Sequence, residues 1–140
     1  MEKGNDCPVE KQSQLKALTV RQPWAYLIMR GVKKVENRSW KPPIQIGERF
    51  VIHAGYGNAK WPDRIPESLR PEVPKNVAHG AALGTVRLAS VHEAGVECGE
   101  ECDVFGSPDY RYHWVLDDPQ LFASLIPMKG ALRLWDFTEE

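Results

Sequence analysis

The chain has 140 residues, of which 42% are hydrophobic and 26% are charged. This balance is typical of one globular domain and excludes the fibrous and disordered classes. No stretch approaches the ~18 uninterrupted apolar residues that a membrane-spanning helix needs, and no export signal is present. We therefore expect a flexible polar tail over residues 1–14 and one soluble, cytoplasmic domain over residues 15–140, with no membrane partner.

Basic and acidic residues are separated along the sequence, although 18 Lys and Arg nearly balance 19 Asp and Glu. Between Lys16 and Lys41 seven residues are basic and one is acidic, whereas between Ser90 and Asp109 six are acidic and none is basic. Both runs could simply be solvated surface, but a local basic patch also attracts a phosphate chain. We predict a basic face, on the side away from the acidic loop of residues 93–103, made by Arg30, Lys33, Lys34, Arg38 and Lys41.

The first half of the domain is predicted to contain three strands and one helix. Apolar residues from Ala17 to Val20 predict a strand, after which Pro23 occupies the first position of a helix. Gly31 ends that helix because it can adopt the left-handed conformation. The helix is predicted over Trp24–Arg30, and the next two strands over Val32–Trp40 and Arg49–Ala54.

The second half is predicted to be mostly β. A proline-rich, charged excursion over residues 55–79 carries a short helix near Glu67–Arg70, and a loop covers Gly95–Pro108. Strands are predicted over Ala81–Val91, Tyr110–Leu116 and Ala131–Phe137. The chain should therefore adopt an α+β, mainly β fold, a small mixed β-barrel of five or six strands with one or two short helices. Strand alternation places in the core Val86, Leu88, Trp114, Leu116, Leu132 and Leu134.

The strand predicted over Val32–Trp40 is unusual because neither of its alternating faces is apolar. Glu36 and Arg38 share one face with Trp40. A short strand that presents charged groups where apolar ones would pack is expected to hold them for a ligand. The alternative without a ligand is that Glu36 and Arg38 only pair with each other or with other surface groups. Lys33 has the opposite parity, so it can face the same cleft only from the turn before regular alternation begins.

Gly31, Lys33, Glu36 and Arg38 form the spacing G-x-K-x-x-E-x-R, which resembles the signature of the ASCH family. Other segments are also similar to larger members of that family, so the resemblance covers about Leu18 to Phe137. These are Arg21-Gln22-Pro23-Trp24-Ala25, Trp114-Val115-Leu116, Pro127 to Gly130, and Leu134-Trp135. The resemblance implies a PUA-like barrel with a cleft beside the first helix, acting on RNA or in coactivator-linked nucleic-acid processes.

The residue types of the motif suit a nucleic-acid ligand. Lys33 and Arg38 can hold phosphate, and Glu36 can accept a hydrogen bond from an exocyclic amine such as that of cytosine. Tryptophan rings offer faces on which bases stack, although Trp24 could equally be core. We expect RNA, another single-stranded nucleic acid, or a nucleotide, nucleoside or modified base as partner. The candidate ligand-binding residues are Gln22, Trp24, Lys33, Glu36, Arg38, Trp40 and, as a wall, His53.

Two other functions compete with binding. The first is an enzyme, either a ribonuclease or a hydrolase of a modified nucleoside, since some small ASCH members hydrolyse the amide of acetylated cytidine. Lys33 and Glu36 are its candidate catalytic residues, but the resemblance places a nucleophilic threonine where this chain has Glu36. The second is a protein-interaction adaptor of the coactivator type that uses aromatic and acidic surfaces.

The sequence gives little support for a metal or another cofactor, and we expect neither. Three cysteines, Cys7, Cys98 and Cys102, are poor material for a disulfide framework and are expected as free thiols. Cys98 and Cys102 form at best half a zinc site, which Cys7 and a distant histidine would have to complete. None of the four histidines makes a metal-ligand spacing with another, and His53 is more typical of a hydrogen-bonded core or cleft-wall residue than of a base.

Overall fold

The computed structural model describes residues 15–58, 73–74, 76–96, 98–100 and 102–138. The predicted tail and the predicted helix near Glu67–Arg70 lie outside the described residues. The strands are β1 (Lys16–Gln22), β2 (Val35–Arg38), β3 (Arg49–Asn58), β4 (Ala81–Glu93), β5 (Tyr112–Pro127) and β6 (Leu134–Asp136). The helices are α1 (Trp24–Met29) and α2 (Cys102–Phe105).

The strands form one six-stranded mixed sheet in the order β2-β5-β4-β3-β1-β6. β1 and β3 pair in parallel, and the other neighbours are antiparallel. The sheet is barrel-like but not closed, because β2 and β6 are its edges among the described strands. This architecture confirms the predicted mainly β, PUA-like fold with short helices. No helix in the described part of the chain is long and apolar enough to cross a membrane.

Apolar side chains cover both faces of the sheet, as expected for a sheet that curls around one core and is covered on the other side. The larger cluster joins α1 to the strands and contains the fully buried Phe50 and Trp114. A smaller cluster on the opposite face is built around Ala17 and Val51. Four of the predicted core residues are buried as expected, namely Val86, Leu88, Trp114 and Leu116.

The prediction for Leu132 was wrong, since 89% of this residue is exposed. β6 begins only at Leu134, and Arg133 has a positive φ of 59°, so strand alternation does not extend back to Leu132. Leu134 itself is half-buried against the larger cluster. The end of the chain therefore contributes less to the core than the alternation pattern predicted.

Several predicted boundaries also need correction. The strand predicted over Val32–Trp40 covers only β2, because the amides of Val32 and Lys33 both donate to Leu27 O and close α1. Pro23 caps the helix rather than opening it, and Gly31 ends it with the expected positive φ of 77°. β5 continues past the predicted end at Leu116 and runs to Pro127. Asp118 has a positive φ, and shifts in register along the two strands keep β5 paired with β4. The predicted loop over Gly95–Pro108 contains α2.

Candidate functional site

A cleft with a volume of about 560 Å³ opens between α1, the edge strand β2 and the segment that follows α2. The motif residues meet there because the turn after α1 leads directly into β2, which lies at the edge of the sheet. The cleft is lined by Thr19, Val20, Arg21, Trp24, Lys33, Glu36, Asn37, Arg38, Ser39, Trp40, Phe105, Ser107 and Tyr110.

Lys33, Glu36 and Arg38 converge on one buried carboxylate. Lys33 lies in the turn before β2, so the condition for it to face the cleft is met. Its Nζ donates to Val35 O and, at 3.2 Å, to Glu36 Oε1. Arg38 Nε donates to Glu36 Oε2 at 2.8 Å, and its second amino group donates to Thr19 O at 3.1 Å. We call Lys33, Glu36 and Arg38 the ion triad.

Burial and charge oppose each other at both buried members of the ion triad. Burial raises the pKa of Glu36, but the charges of Lys33 and Arg38, together with their hydrogen bonds, outweigh it and hold the pKa below its usual value of 4.5. Burial lowers the pKa of Lys33, and the attraction of Glu36 opposes that shift only in part. Glu36 is therefore ionised at neutral pH and is compensated by two cations.

Aromatic rings flank the ion triad on both sides. Trp24 is half-buried, with its ring edge-to-face with Phe105 at 6.1 Å, and Lys33 Nζ lies 5.8 Å from the Trp24 ring centre. Trp40 packs edge-on against Trp114 at 4.9 Å. Trp24 and Trp40 therefore serve the core and the cleft together, rather than one of them alone.

Two arginines approach the ring of Trp40. The Arg38 guanidinium lies 6.0 Å from the ring centre and that of Arg133 lies 4.4 Å away. Both distances are within the range of cation–π attraction. Arg133 was not predicted from the sequence because it comes from the irregular segment just before β6, far from the motif in sequence.

Two predicted ligand-binding residues lie outside the cleft lining. Gln22 is buried, donates from Nε2 to Ala78 O at 2.7 Å and accepts from the amide of Tyr26 at 2.9 Å, so it ties α1 to a distant segment. His53 is buried between Thr19 Oγ1 at 3.2 Å and Met128 O at 2.7 Å. These contacts match the alternative expectation for His53, a core histidine with its hydrogen bonds satisfied.

The wall of the cleft opposite the ion triad comes from the segment that follows the acidic residues. Asn37 Nδ2 donates to Phe105 O at 2.8 Å, and Asn37 Oδ1 accepts from the amide of Ser107 at 2.9 Å. Arg38 in β2 and Glu93 in β4 are strand partners of Tyr112 on its two sides, so the acidic loop begins one strand away from the motif and the prediction that it lies on the far side was wrong. The predicted basic face also loses Lys33, which is only 4% exposed.

A second group of polar side chains comes together outside the cleft lining. One donor atom from each of His92, Cys98, Cys102 and His113 lies within 4.8 Å of all the others. The spacing of the histidines along the sequence did not indicate this group, because His92 and His113 meet only through the pairing of β4 with β5. The group could have been found from the sequence only if the alignment of β4 with β5 had been predicted correctly.

Comparison with known proteins agrees with this architecture. Residues 18–121 match the ASCH domain family. Activating signal cointegrator 1 of Mus musculus is 29% identical over 127 residues, and that of Homo sapiens is 28% identical over 129 residues. Each match covers 84% of this chain, which spans only 21% of the length of either relative.

Solved structures show the same fold at low sequence identity. Two crystal structures of variants of an ASCH protein from Zymomonas mobilis superimpose with a TM-score of 0.53 at 16% identity. The first superposition covers 91% of this chain and 91% of the Zymomonas mobilis chain. The second covers 90% of this chain and 92% of the Zymomonas mobilis chain. The family match covers residues 18–121, and it agrees with the G-x-K-x-x-E-x-R motif and with the shared fold. The chain therefore belongs to the ASCH domain family.

Proposed function

We propose that the cleft binds single-stranded RNA through one nucleotide, with the phosphate at Arg38 and the base among the neighbouring aromatic rings. The observation that carries this proposal is the ion triad, in which two cations share one carboxylate and leave one positive charge in excess. Arg38 is the most exposed member, with 24% of its side chain accessible, so the excess charge is available at the cleft. A fixed guanidinium is well suited to a phosphate group.

We propose for Glu36 a different role from the one that the sequence suggested. Lys33 engages Oε1 and Arg38 engages Oε2, so both oxygens already accept charge-assisted hydrogen bonds. We therefore assign Glu36 to holding the two cations in place. Contact with a base then falls to more exposed polar groups of the lining, such as Ser39 and Tyr110.

The size and composition of the cleft also favour a nucleotide. Its volume of about 560 Å³ lies within the range of small-molecule sites, and its lining mixes aromatic rings with a few polar groups. Tyr110 is 47% exposed at the rim and Trp40 carries two arginines against its ring. Stacking of a base on such rings is favourable for every base, which suits recognition of a single strand.

Fluorescence anisotropy with a labelled single-stranded RNA of mixed sequence tests the proposal. Arg38→Ala should weaken binding at least tenfold, whereas Lys34→Ala, which removes the same charge from an exposed neighbour outside the cleft lining, should change it less than threefold. Binding should fall with added salt because phosphate contacts release counterions. Equal effects of the two variants would contradict the assignment of Arg38 to the ligand.

Two further readouts in the same experiment separate the competing functions. The wild-type protein is incubated with acetylated cytidine and with the RNA, and acetate release and strand cleavage are measured. Turnover of either substrate would put an enzyme in place of a binding domain. A wild-type protein with no affinity for RNA or nucleotides would favour the protein-interaction adaptor, a role consistent with the name of the cointegrator relatives.

A further inference from the structure

We propose that His92, Cys98, Cys102 and His113 form a structural zinc site that fixes one wall of the cleft. The two histidines lie opposite each other where β4 ends and β5 begins. Cys98 lies in the connecting loop, and Cys102 is the first residue of α2. The proposal is independent of what the cleft binds. We call these four side chains the His-Cys cluster.

The distances within the His-Cys cluster match the edges of a zinc tetrahedron. His92 Nε2 and His113 Nδ1 are 3.2 Å apart. Cys98 Sγ lies 3.3 and 3.7 Å from these nitrogens, and Cys102 Sγ lies 3.2 and 3.4 Å from them. Ordinary zinc–nitrogen and zinc–sulfur bond lengths predict edges of about 3.3 Å between nitrogens and about 3.5 Å between nitrogen and sulfur.

The hydrogen bond on the far side of His113 sets the tautomer that a metal needs. His113 Nε2 lies 2.8 Å from Ser107 O. A carbonyl oxygen only accepts, so Nε2 carries the proton and the lone pair of Nδ1 points toward the other three donor atoms. A backbone carbonyl on the second ring nitrogen is the usual outer partner of a metal-bound histidine.

Hydrogen bonding alone does not account for these contacts. In the plane of the ring, each imidazole nitrogen has either one proton or one lone pair. Yet Nδ1 of His113 is approached within 3.7 Å by a nitrogen and two sulfurs, and Nε2 of His92 is approached equally closely by the same kinds of atoms. One central cation satisfies all four donors at once. Cys98 and Cys102 are not joined in a disulfide.

The donor set and its surroundings identify the metal and its role. Two thiolates and two imidazoles in a tetrahedron are typical of zinc, and four protein ligands leave no position for a substrate. Cys102 and His113 are buried, while Cys98 is exposed and closes the site from the loop. The backbone supports this arrangement, since Cys102 N donates to Gly99 O at 3.1 Å and Ala94 N donates to Arg111 O at 2.9 Å.

The site would hold the segment that lines the cleft. α2 begins at the ligand Cys102 and ends at Phe105, whose ring contacts Trp24. Ser107, the partner of His113, also donates its amide to Asn37 in β2. Four residues that hold one ion therefore fix both the start and the end of this wall relative to the sheet.

Metal content of the purified 140-residue chain tests the proposal. After expression with added zinc and exhaustive dialysis, elemental analysis should give one zinc per chain. A mercurial reagent that blocks thiols should release that zinc. After replacement by Co²⁺, the spectrum should show the intense visible bands of a tetrahedral site and a thiolate-to-cobalt charge-transfer band. Metal that stays far below one ion per chain, or a cobalt spectrum without these bands, would overturn the proposal.

Cysteine variants provide the matched comparison. Cys98→Ser should lower the zinc content and remove part of the charge-transfer band, with the fold retained because Cys98 is exposed. Cys7→Ser removes the remaining cysteine and should leave one zinc per chain. Equal zinc contents in the two variants would contradict the assignment of Cys98. If Cys98→Ser proves insoluble, His92→Asn, at a half-buried position, carries the same expectation and the same contradicting result.

Discussion

Lys33 Nζ and Glu36 Oε1 lie 3.2 Å apart with their side chains only 5% and 8% exposed, although just two residues separate them in the sequence. The turn after α1 brings Lys33 back over the first residues of β2. Lys33 and Glu36, charged residues of the kind that usually lie at the surface, are therefore buried as a pair. Removing one member of such a pair leaves an uncompensated charge in a poorly solvated position.

Glu36→Gln should therefore destabilise the domain by about 3 to 5 kcal/mol, because Lys33 would remain buried without its counter-charge. Chemical denaturation followed by tryptophan fluorescence measures this loss. The double variant Lys33→Met/Glu36→Gln should recover part of it, since both buried charges are then absent. If the double variant is less stable than Glu36→Gln alone, the two residues are not coupled as described.

The lowered pKa of Glu36 predicts how stability changes with acid. A carboxylate whose pKa is lower in the folded state binds fewer protons there than in the unfolded chain. Its contribution to the free energy of unfolding is complete above its usual value of 4.5 and is lost as the pH falls through the lowered folded value. Over that acidic range, the wild-type free energy of unfolding should fall more steeply with decreasing pH than that of Glu36→Gln. Parallel slopes would contradict this account.

Two leucines compare a buried core position in β4 with an exposed position near the end of the chain. Leu88 is fully buried, so Leu88→Ala should cost about 2 to 5 kcal/mol of stability. Leu132→Ala, at a position that is 89% exposed, should stay within about 0.5 kcal/mol of the wild type. Equal shifts in the denaturation midpoints of the two variants would show that Leu132 packs differently from this description.

Asn37 joins the ion triad strand to the opposite wall of the cleft. Asn37→Ala removes both side-chain hydrogen bonds to Phe105 and Ser107. We expect a loss of about 1 to 3 kcal/mol, because backbone groups of a partly buried segment lose their partners. Ligand affinity should fall as well. Ser39→Ala provides the comparison, since Ser39 is an exposed residue of the cleft lining two positions after Asn37. This variant should have a stability within about 0.5 kcal/mol of the wild type.

The sequence predicted the parts of the structure that depend on short separations. Gly31 ends α1, and the spacing from Lys33 to Arg38 brings three charges together because all of them lie within one turn and one short strand. The mainly β fold also followed from strand patterns. These features need no knowledge of how distant strands are aligned.

Features that depend on long-range register could not be predicted in the same way. His92 meets His113 only because β4 and β5 pair in one particular alignment. Bulges shift the register of these two strands at several points along their length. Arg133 reaches Trp40 from a segment that is 93 positions away, by their numbers in the sequence. Gln22 was predicted to touch a ligand from its place in the motif, but its amide instead satisfies backbone groups.

The measurement that tests the proposed function most directly is a crystal structure of the wild-type domain soaked with a nucleoside 5′-monophosphate. We expect density in the cleft, with the phosphate at the Arg38 guanidinium and the base against the rings near Trp40. Crystals of Arg38→Ala soaked in the same way should lack this density, whereas those of Lys34→Ala should retain it. A cleft without ligand at a concentration that saturates binding in solution, or a nucleotide bound elsewhere on the sheet, would contradict the account.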